Sequence, residues 1–388
     1  MKASFVVRGR ILDAGRAVDI LVRDGRIARI SPARAAAADF GHESAIIGPT
    51  LFDIQVNGAF GASLQDSDLD PQVLSTITEK LAAWGVSHWV PTLITAPLDA
   101  MENSCRVIAQ ALRKNRRLAR AIPGIHLEGP CISPEDGARG AHKREYVRVP
   151  NTKEFDLLWR AAEGRITYTT VAPDQARAAA YIRHVVSRGV VVSLGHHAAT
   201  AQQITAAVDA GARMCTHLGN GLSSQMHRHF NPLWPQLAED RLHASFIADM
   251  HHLPQAVLSS FVRCKRPALT MLTSDAVHLA GMRPGKYDLL GMGVELRKDG
   301  KICLIGTDLL AGSSLMLLQG VVNTWRCTDL SLEEALRSAS IIPARLLGLR
   351  HPFHTPRMGD RANVVAFESG ERPNEARILT AVVHGQLA

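Results

Sequence analysis

Long apolar runs are missing from this chain. No stretch of its 388 residues approaches the roughly 20 apolar residues that a membrane-spanning helix needs, so the sequence predicts no span. The N-terminal run Met1-Lys2-Ala3-Ser4-Phe5-Val6-Val7 is broken by Arg8 and Arg10, which is no secretory signal. Paired cysteine motifs are also missing. Cys105, Cys131, Cys215, Cys264, Cys303 and Cys327 stand far apart with no C-x-x-C. They are expected to be reduced, buried thiols, which suits a cytoplasmic protein. Disorder-prone bias is absent too: 46% of residues are hydrophobic and 21% charged, a core-forming composition. Lysine and arginine exceed aspartate and glutamate by 44 − 36 = 8. That excess favours anions without choosing among them. Basic residues concentrate in one block, Arg113-Lys114-Asn115-Arg116-Arg117, with no aromatic residue among them. We read it as a solvated helix end and expect no nucleic-acid partner.

What is present alternates. Phe5–Leu12 and Val18–Ile30 read as β, with Asp24-Gly25 as a type I′ hairpin signal. Arg34–Asp39 is Ala-rich and reads as a short helix or a loop. Asn363–Phe367 and Ile378–Val383 read as strands. Between the ends lie eight short apolar runs: Thr50–Val56, Val86–Thr95, Ala121–Glu128, Ile166–Ala172, Val190–Gly195, Met214–Leu218, Ala244–Ala248 and Leu269–Thr273. Amphipathic segments such as Gln202–Ala210 and Leu332–Ser338 separate them. Repeated β-then-α units imply parallel strands with right-handed crossovers, and eight units imply a closed barrel. The expected fold class is therefore α/β, a (β/α)8 TIM-type barrel. Residues 50–350 form the barrel, and residues 1–49 plus 351–388 a small β domain from both termini. Lys298-Asp299-Gly300-Lys301 reads as a hairpin inserted after the eighth strand.

Functional groups of barrel enzymes sit where strands end. Here six strand candidates run into polar, metal-capable residues. They are Gln55-Val56-Asn57, His126-Leu127-Glu128, Gly195-His196-His197, Thr216-His217, Asp249-Met250-His251-His252 and Thr273-Ser274-Asp275. Period two puts His126 and Glu128 on one strand face. One carboxylate with two imidazoles is a catalytic-zinc ligand set that leaves a position open for water. Glu128, His196 and His217 supply it from three strands. Asp275, at the end of the last strand, is placed to take a proton from a metal-bound water and deliver it to a leaving group.

The markers Asp53-Ile54-Gln55-Val56-Asn57-Gly58, His126-Leu127-Glu128-Gly129-Pro130, Gly140-Ala141-His142, Leu194-Gly195-His196, Thr216-His217-Leu218, Ile247-Ala248-Asp249, Ser274-Asp275-Ala276 and Leu310-Ala311-Gly312-Ser313 lie along nearly the whole chain. Together they resemble the N-acetylglucosamine-6-phosphate deacetylases of the amidohydrolase superfamily. The resemblance implies a barrel flanked by a β-sandwich and a homodimer. It implies that Glu128, His196 and His217 bind metal and that Asp275 is the catalytic aspartate. By the same resemblance, His142, Gly221 and His252 contact substrate, while Asn220 and Arg228 bind the sugar phosphate, Arg228 from the partner subunit. Gln55 and Asn57 stand where related enzymes carry a second-metal His-x-His. Amides are poor ligands beside imidazole, so one divalent ion per chain is expected, Zn2+ first, with Fe2+ also compatible.

Three places depart from the family pattern. Gly219-Asn220-Gly221-Leu222 replaces Phe-Asn-Ala-Met, the loop His227-Arg228-His229-Phe230-Asn231-Pro232 is rich in histidine, and Met250 replaces a glycine. These changes lie at the substrate end. The leading expectation is deacetylation of N-acetylglucosamine 6-phosphate. The alternative is a different, unphosphorylated N-acyl amino sugar or amide. A barrel that has lost catalysis need not keep the aspartate and all three ligands, and this chain keeps them.

Overall fold

The computed structural model describes residues 4–12, 16–35, 37–66, 68–349 and 353–388. Its centre is eight parallel strands: β1 (Leu51–Val56), β2 (Val86–Ile94), β3 (Ile125–Glu128), β4 (Ile166–Val171), β5 (Val191–Leu194), β6 (Met214–Cys215), β7 (His243–Phe246) and β8 (Thr270–Leu272). They pair in chain order from β1 to β8. A parallel bridge between Val56 and Ala276 joins the two ends. Strands covered on both faces read as continuous apolar runs rather than alternations. In β1 every residue is buried, as the run Thr50–Val56 predicts.

The seam between β1 and β8 is polar. Asp53 is buried and accepts bonds from Thr273 Oγ1 (3.1 Å), Ser274 N (3.1 Å) and Gln55 N (3.5 Å). Burial pushes its carboxyl up to about 6, although these donors pull the other way. Helices on the outside carry the expected local signals. Thr200 and Gln203 form a reciprocal capping box on Ala201–Asp209, and Ser331 and Glu334 do the same on Leu332–Ser338.

The third apolar run is split. Its first residue ends a helix, Arg116–Ala121, and the strand begins only at Ile125. Asn115 starts that helix by accepting from Arg117 N (2.9 Å) and Leu118 N (3.3 Å). The basic block is thus a helix junction, with Arg113 paired to Glu163 and Arg117 to Glu79, each at 3.0 Å.

Both termini meet in one seven-stranded sheet. Ser4–Ile11, Ala17–Arg23 and Arg26–Pro32 form its N-terminal side, and Val364–Ser369, Ala376–Val383 and Gln386–Leu387 its C-terminal side. Asp24 and Gly25 both have positive φ, as the hairpin requires. A strand that the sequence reading did not anticipate, Phe40–Pro49, joins the two sides. It pairs parallel with Ser4–Ile11 and antiparallel with Val364–Ser369. The expected sandwich is this one sheet rolled on itself: Ile27 N donates to Asp360 O (2.9 Å), bringing the far edge back to the C-terminal side. Phe5, Val7, Ile20, Ile27, Ile47, Val364 and Val382 share the enclosed core. Within Arg34–Asp39 no helix forms among the described residues. The boundary expected at 350–351 lies outside the described residues.

After β8 the chain makes a three-stranded antiparallel sheet, Gly285–Leu289, Met292–Leu296 and Ile302–Leu304. The hairpin expected at Lys298–Lys301 is its second turn. Five cysteines are buried as expected; Cys264 is exposed, and all six are unpaired.

Candidate active site

Glu128 is the last residue of β3, while His196 and His217 stand two residues past β5 and β6. These ends converge. His217 Nε2 lies 2.9 Å from Glu128 Oε1, His196 Nε2 lies 3.3 Å from the same oxygen, and the two Nε2 atoms are 3.2 Å apart. No other group of three such side chains with ligand geometry occurs among the described residues. Zinc takes imidazole nitrogen and carboxylate oxygen at about 2.0–2.2 Å in a tetrahedron, which sets neighbouring donors roughly 3.3 Å apart. The observed triangle has that size. Two facing imidazole nitrogens also repel unless a proton or a cation lies between them. The ring of His196 is fixed through Nδ1, 3.0 Å from Ala138 O, which leaves Nε2 as the free lone pair. The donor set therefore fits one divalent ion.

The electrostatics agree. Burial opposes ionisation of Glu128, but hydrogen bonds from His196 and His217 outweigh it and hold the carboxyl well below its usual range. Burial also opposes a charge on His217, and Glu128 overrides it, raising that imidazole. The backbone turns sharply to present these groups. His196, His217 and Asp275 have φ of 52°, 30° and 49°, a region that residues with a Cβ adopt at a cost.

Asp275 faces the triangle across an amide bridge. Gln55 Nε2 donates to Glu128 Oε1 (2.9 Å) and to Asp275 Oδ1 (2.9 Å), and Asn57 Nδ2 donates to the same Asp275 oxygen (2.7 Å). Burial, then repulsion from Glu128, pushes the Asp275 carboxyl up to about 7. Gln55 and Asn57 spend their N–H groups on carboxylates.

His126 shares the strand face of Glu128 but does a different job. Its ring lies 3.8 Å from Tyr168, stacked, with Nδ1 near Thr92 Oγ1 (3.2 Å) and Nε2 near Thr170 Oγ1 (2.8 Å). Both nitrogens are committed, and burial pushes its pKa down to about 3. It is a neutral floor beneath the triangle.

His142, Asn220, Gly221 and His252 line a cavity of about 270 Å3 that also contains Glu128, His196, His217 and Asp275. His142 lies edge-on to His196, with Nδ1 2.9 Å from Thr95 Oγ1. Gly221 has φ +60, and a Cβ there would come within 2.8 Å of His196 Nδ1. Glycine thus lets the altered loop lie close against the His196 ring. Met250 has φ 67°, which explains why glycine suits that place better. Arg228 is not among the lining residues. It sits in an exposed loop, with its carbonyl accepting from Trp234 Nε1 (2.8 Å).

Two contributors, Thr95 and His278, escaped the sequence reading, and Asp249 was seen at a strand end without its role. Asp249 orients His252, accepting from its Nδ1 (2.7 Å) and its backbone N (2.8 Å); the i, i+3 spacing was a usable signal. Thr95 holds His142, and no local pattern reveals it. His278 lines the cavity three residues past Asp275.

Comparison with known proteins agrees with this geometry. The amidohydrolase family model matches residues 46–386. The chain is 33% identical over 367 residues to an N-acetylgalactosamine-6-phosphate deacetylase from Escherichia coli O157:H7, covering 95% of this chain and 93% of the relative. It is 30% identical to an N-acetylglucosamine-6-phosphate deacetylase from Vibrio furnissii over 83% of this chain and 78% of that one. The crystal structure of N-acetyl-D-glucosamine-6-phosphate deacetylase from Mycobacterium smegmatis superposes with a TM-score of 0.84 at 27% identity, covering 99% of this chain and 100% of the other. A closed (β/α)8 barrel with a carboxylate–imidazole triangle at its strand ends, matched over nearly its full length, belongs to the amidohydrolase family.

Proposed function

We propose that this chain removes the acetyl group from N-acetylglucosamine 6-phosphate, giving glucosamine 6-phosphate and acetate. The observation that carries the reading is the Glu128–His196–His217 triangle facing Asp275 in one cavity. One divalent ion, zinc first and ferrous iron as the alternative, fits the three ligands and would supply Lewis-acid polarisation of the amide carbonyl and acidification of a water. The chain's own residues do the rest. Asp275 takes the proton of the attacking water and returns it to the departing amine. Gln55 and Asn57 hold one Asp275 oxygen, so the other is left for the transfer. His142 and His252, each fixed through Nδ1, present Nε2 to the substrate.

Arg228 and a homodimer belong to the same proposal. Arg228 lies beside Phe230 and Trp234, which are 85% and 50% exposed, and a second copy would bring the arginine to its neighbour's cavity. Six unpaired cysteines suit a cytoplasmic location. No helix among the described residues is long and apolar enough to cross a membrane.

A second reading, an unphosphorylated N-acyl amino sugar, is favoured by one fact: no lysine or arginine lines the cavity among the described residues. Relatives also differ in the epimer they are named for. Acetate release from N-acetylglucosamine, N-acetylgalactosamine and their 6-phosphates tests all of this. A large preference for N-acetylglucosamine 6-phosphate supports the proposal. Equal rates with and without phosphate overturn its phosphate half, and no acetate from any of the four overturns it entirely.

A further inference from the structure

We propose that His278 is a specificity residue of this site, the chain's own hydrogen-bond donor to the phosphate of the substrate. This rests on the deacetylase reading above. The cavity already holds two carboxylates, Glu128 and Asp275, and no lysine or arginine lines it. A phosphomonoester entering it needs N–H groups that are not already spent.

Most of the lining side-chain donors already serve at least one partner within the protein. Asn57 gives its amide to Asp275, and Gln65 gives its own to Thr92 O (2.8 Å). Asn220 donates to His217 O (3.1 Å). His196 and His217 belong to the metal triangle. His142 and His252 each keep one ring nitrogen on Thr95 or Asp249. His278 differs from all of them. Neither of its ring nitrogens has a hydrogen-bond partner among the described residues, yet the side chain lines the cavity.

Its placement is rigid. Gly61 N donates to His278 O (2.7 Å), and Asn57 N donates to Ala276 O (2.8 Å), so the turn after Asp275 is stitched to the end of β1. Gly58 lets the two segments touch: a Cβ there would lie 2.9 Å from His278 N. A free imidazole on a pinned backbone, in a cavity short of cations, is suited to an oxyanion, because hydrogen bonds to charged groups are the stronger ones.

The test is steady-state deacetylation by the metal-loaded enzyme, with N-acetylglucosamine 6-phosphate and N-acetylglucosamine compared for wild type, His278→Ala and His278→Gln. His278→Ala is expected to lower kcat/KM for the phosphorylated sugar by about 10- to 150-fold. Most of that loss should lie in KM, with metal content retained and a much smaller loss on the unphosphorylated sugar. His278→Gln keeps an N–H donor and should recover part of the loss. Equal losses on both substrates, or none on the phosphorylated one, overturn the proposal. A wild-type enzyme without preference for phosphate defeats the underlying substrate reading instead, before any variant is made.

Discussion

The side-chain nitrogen of Gln55 lies between Glu128 and Asp275, 2.9 Å from an oxygen of each. One amide thereby couples the two carboxylates that the proposed function assigns to metal binding and to proton transfer. Gln55→Leu removes both bonds without adding charge. We expect kcat to fall at least 10-fold while KM and metal content stay within a few-fold, because orientation rather than binding is lost. Gln55→Glu brings a third carboxylate to the pair and should be worse. A normal kcat in both variants would show that the bridge is idle.

Asp275→Asn keeps the size of the side chain but cannot accept a proton. General acid–base groups contribute typically about 10²–10⁴-fold, and kcat should fall by that much, with metal content unchanged. Near-normal turnover would remove Asp275 from the chemistry.

Metal stoichiometry follows from the amides at Gln55 and Asn57. Elemental analysis of protein purified without added metal should find one divalent ion per chain. A chelator should abolish activity, and one equivalent of zinc or ferrous iron should restore it. Glu128→Gln should lose the ion. Two ions per chain, both needed for activity, would contradict the single-metal reading.

Arg228→Ala should reduce kcat/KM for the phosphorylated sugar by about 10- to 150-fold, with a much smaller effect on the unphosphorylated one. If the arginine serves a neighbouring cavity, co-assembling Arg228→Ala with Asp275→Asn chains creates one intact site in each mixed dimer. Activity above that of either parent is the expected result. Strictly additive residual activities would deny the exchange.

The carboxyl of Asp53 is raised by burial to about 6 from 3.8. Its protonated form is therefore favoured by folding. The resulting stability is complete below the unfolded value and is lost as pH rises through about 6. Asp53→Asn keeps the acceptor for Thr273, Ser274 and Gln55 but has no charge. Relative to that variant, wild type should gain about 1–1.5 kcal/mol on going from pH 8 to pH 5. Denaturant unfolding of both proteins at the two pH values measures it. A difference that does not move with pH would show that the buried carboxylate ionises at no cost.

The barrel was legible because its strands are buried on both faces, so runs such as Thr50–Val56 and Val86–Thr95 stand out without any alternation. The Glu128–His196–His217 group was legible because all three residues stand at or just past strand ends. Phe40–Pro49 escaped notice because its first half, Phe-Gly-His-Glu-Ser, has no buried residue and is mostly polar, and its C-terminal pairing partner is remote in sequence. The helix Arg116–Ala121 was hidden by its join to an apolar run, where only the Asn115 cap marks it. Thr95 holds His142 across the fold and His278 reaches the cavity from a turn after the last strand, and nothing in their flanking residues announces either.

The strand Phe40–Pro49 also bears on the order in which the protein is made. Its antiparallel partner, Val364–Ser369, leaves the ribosome more than 300 residues later. Through that interval the barrel segments emerge and can close while one edge of the N-terminal sheet stays unpaired. An open edge is a template for pairing with other chains, and contacts this distant in sequence form late. Nascent or truncated chains that end before residue 364 should therefore aggregate through this sheet, even when the barrel they carry is whole.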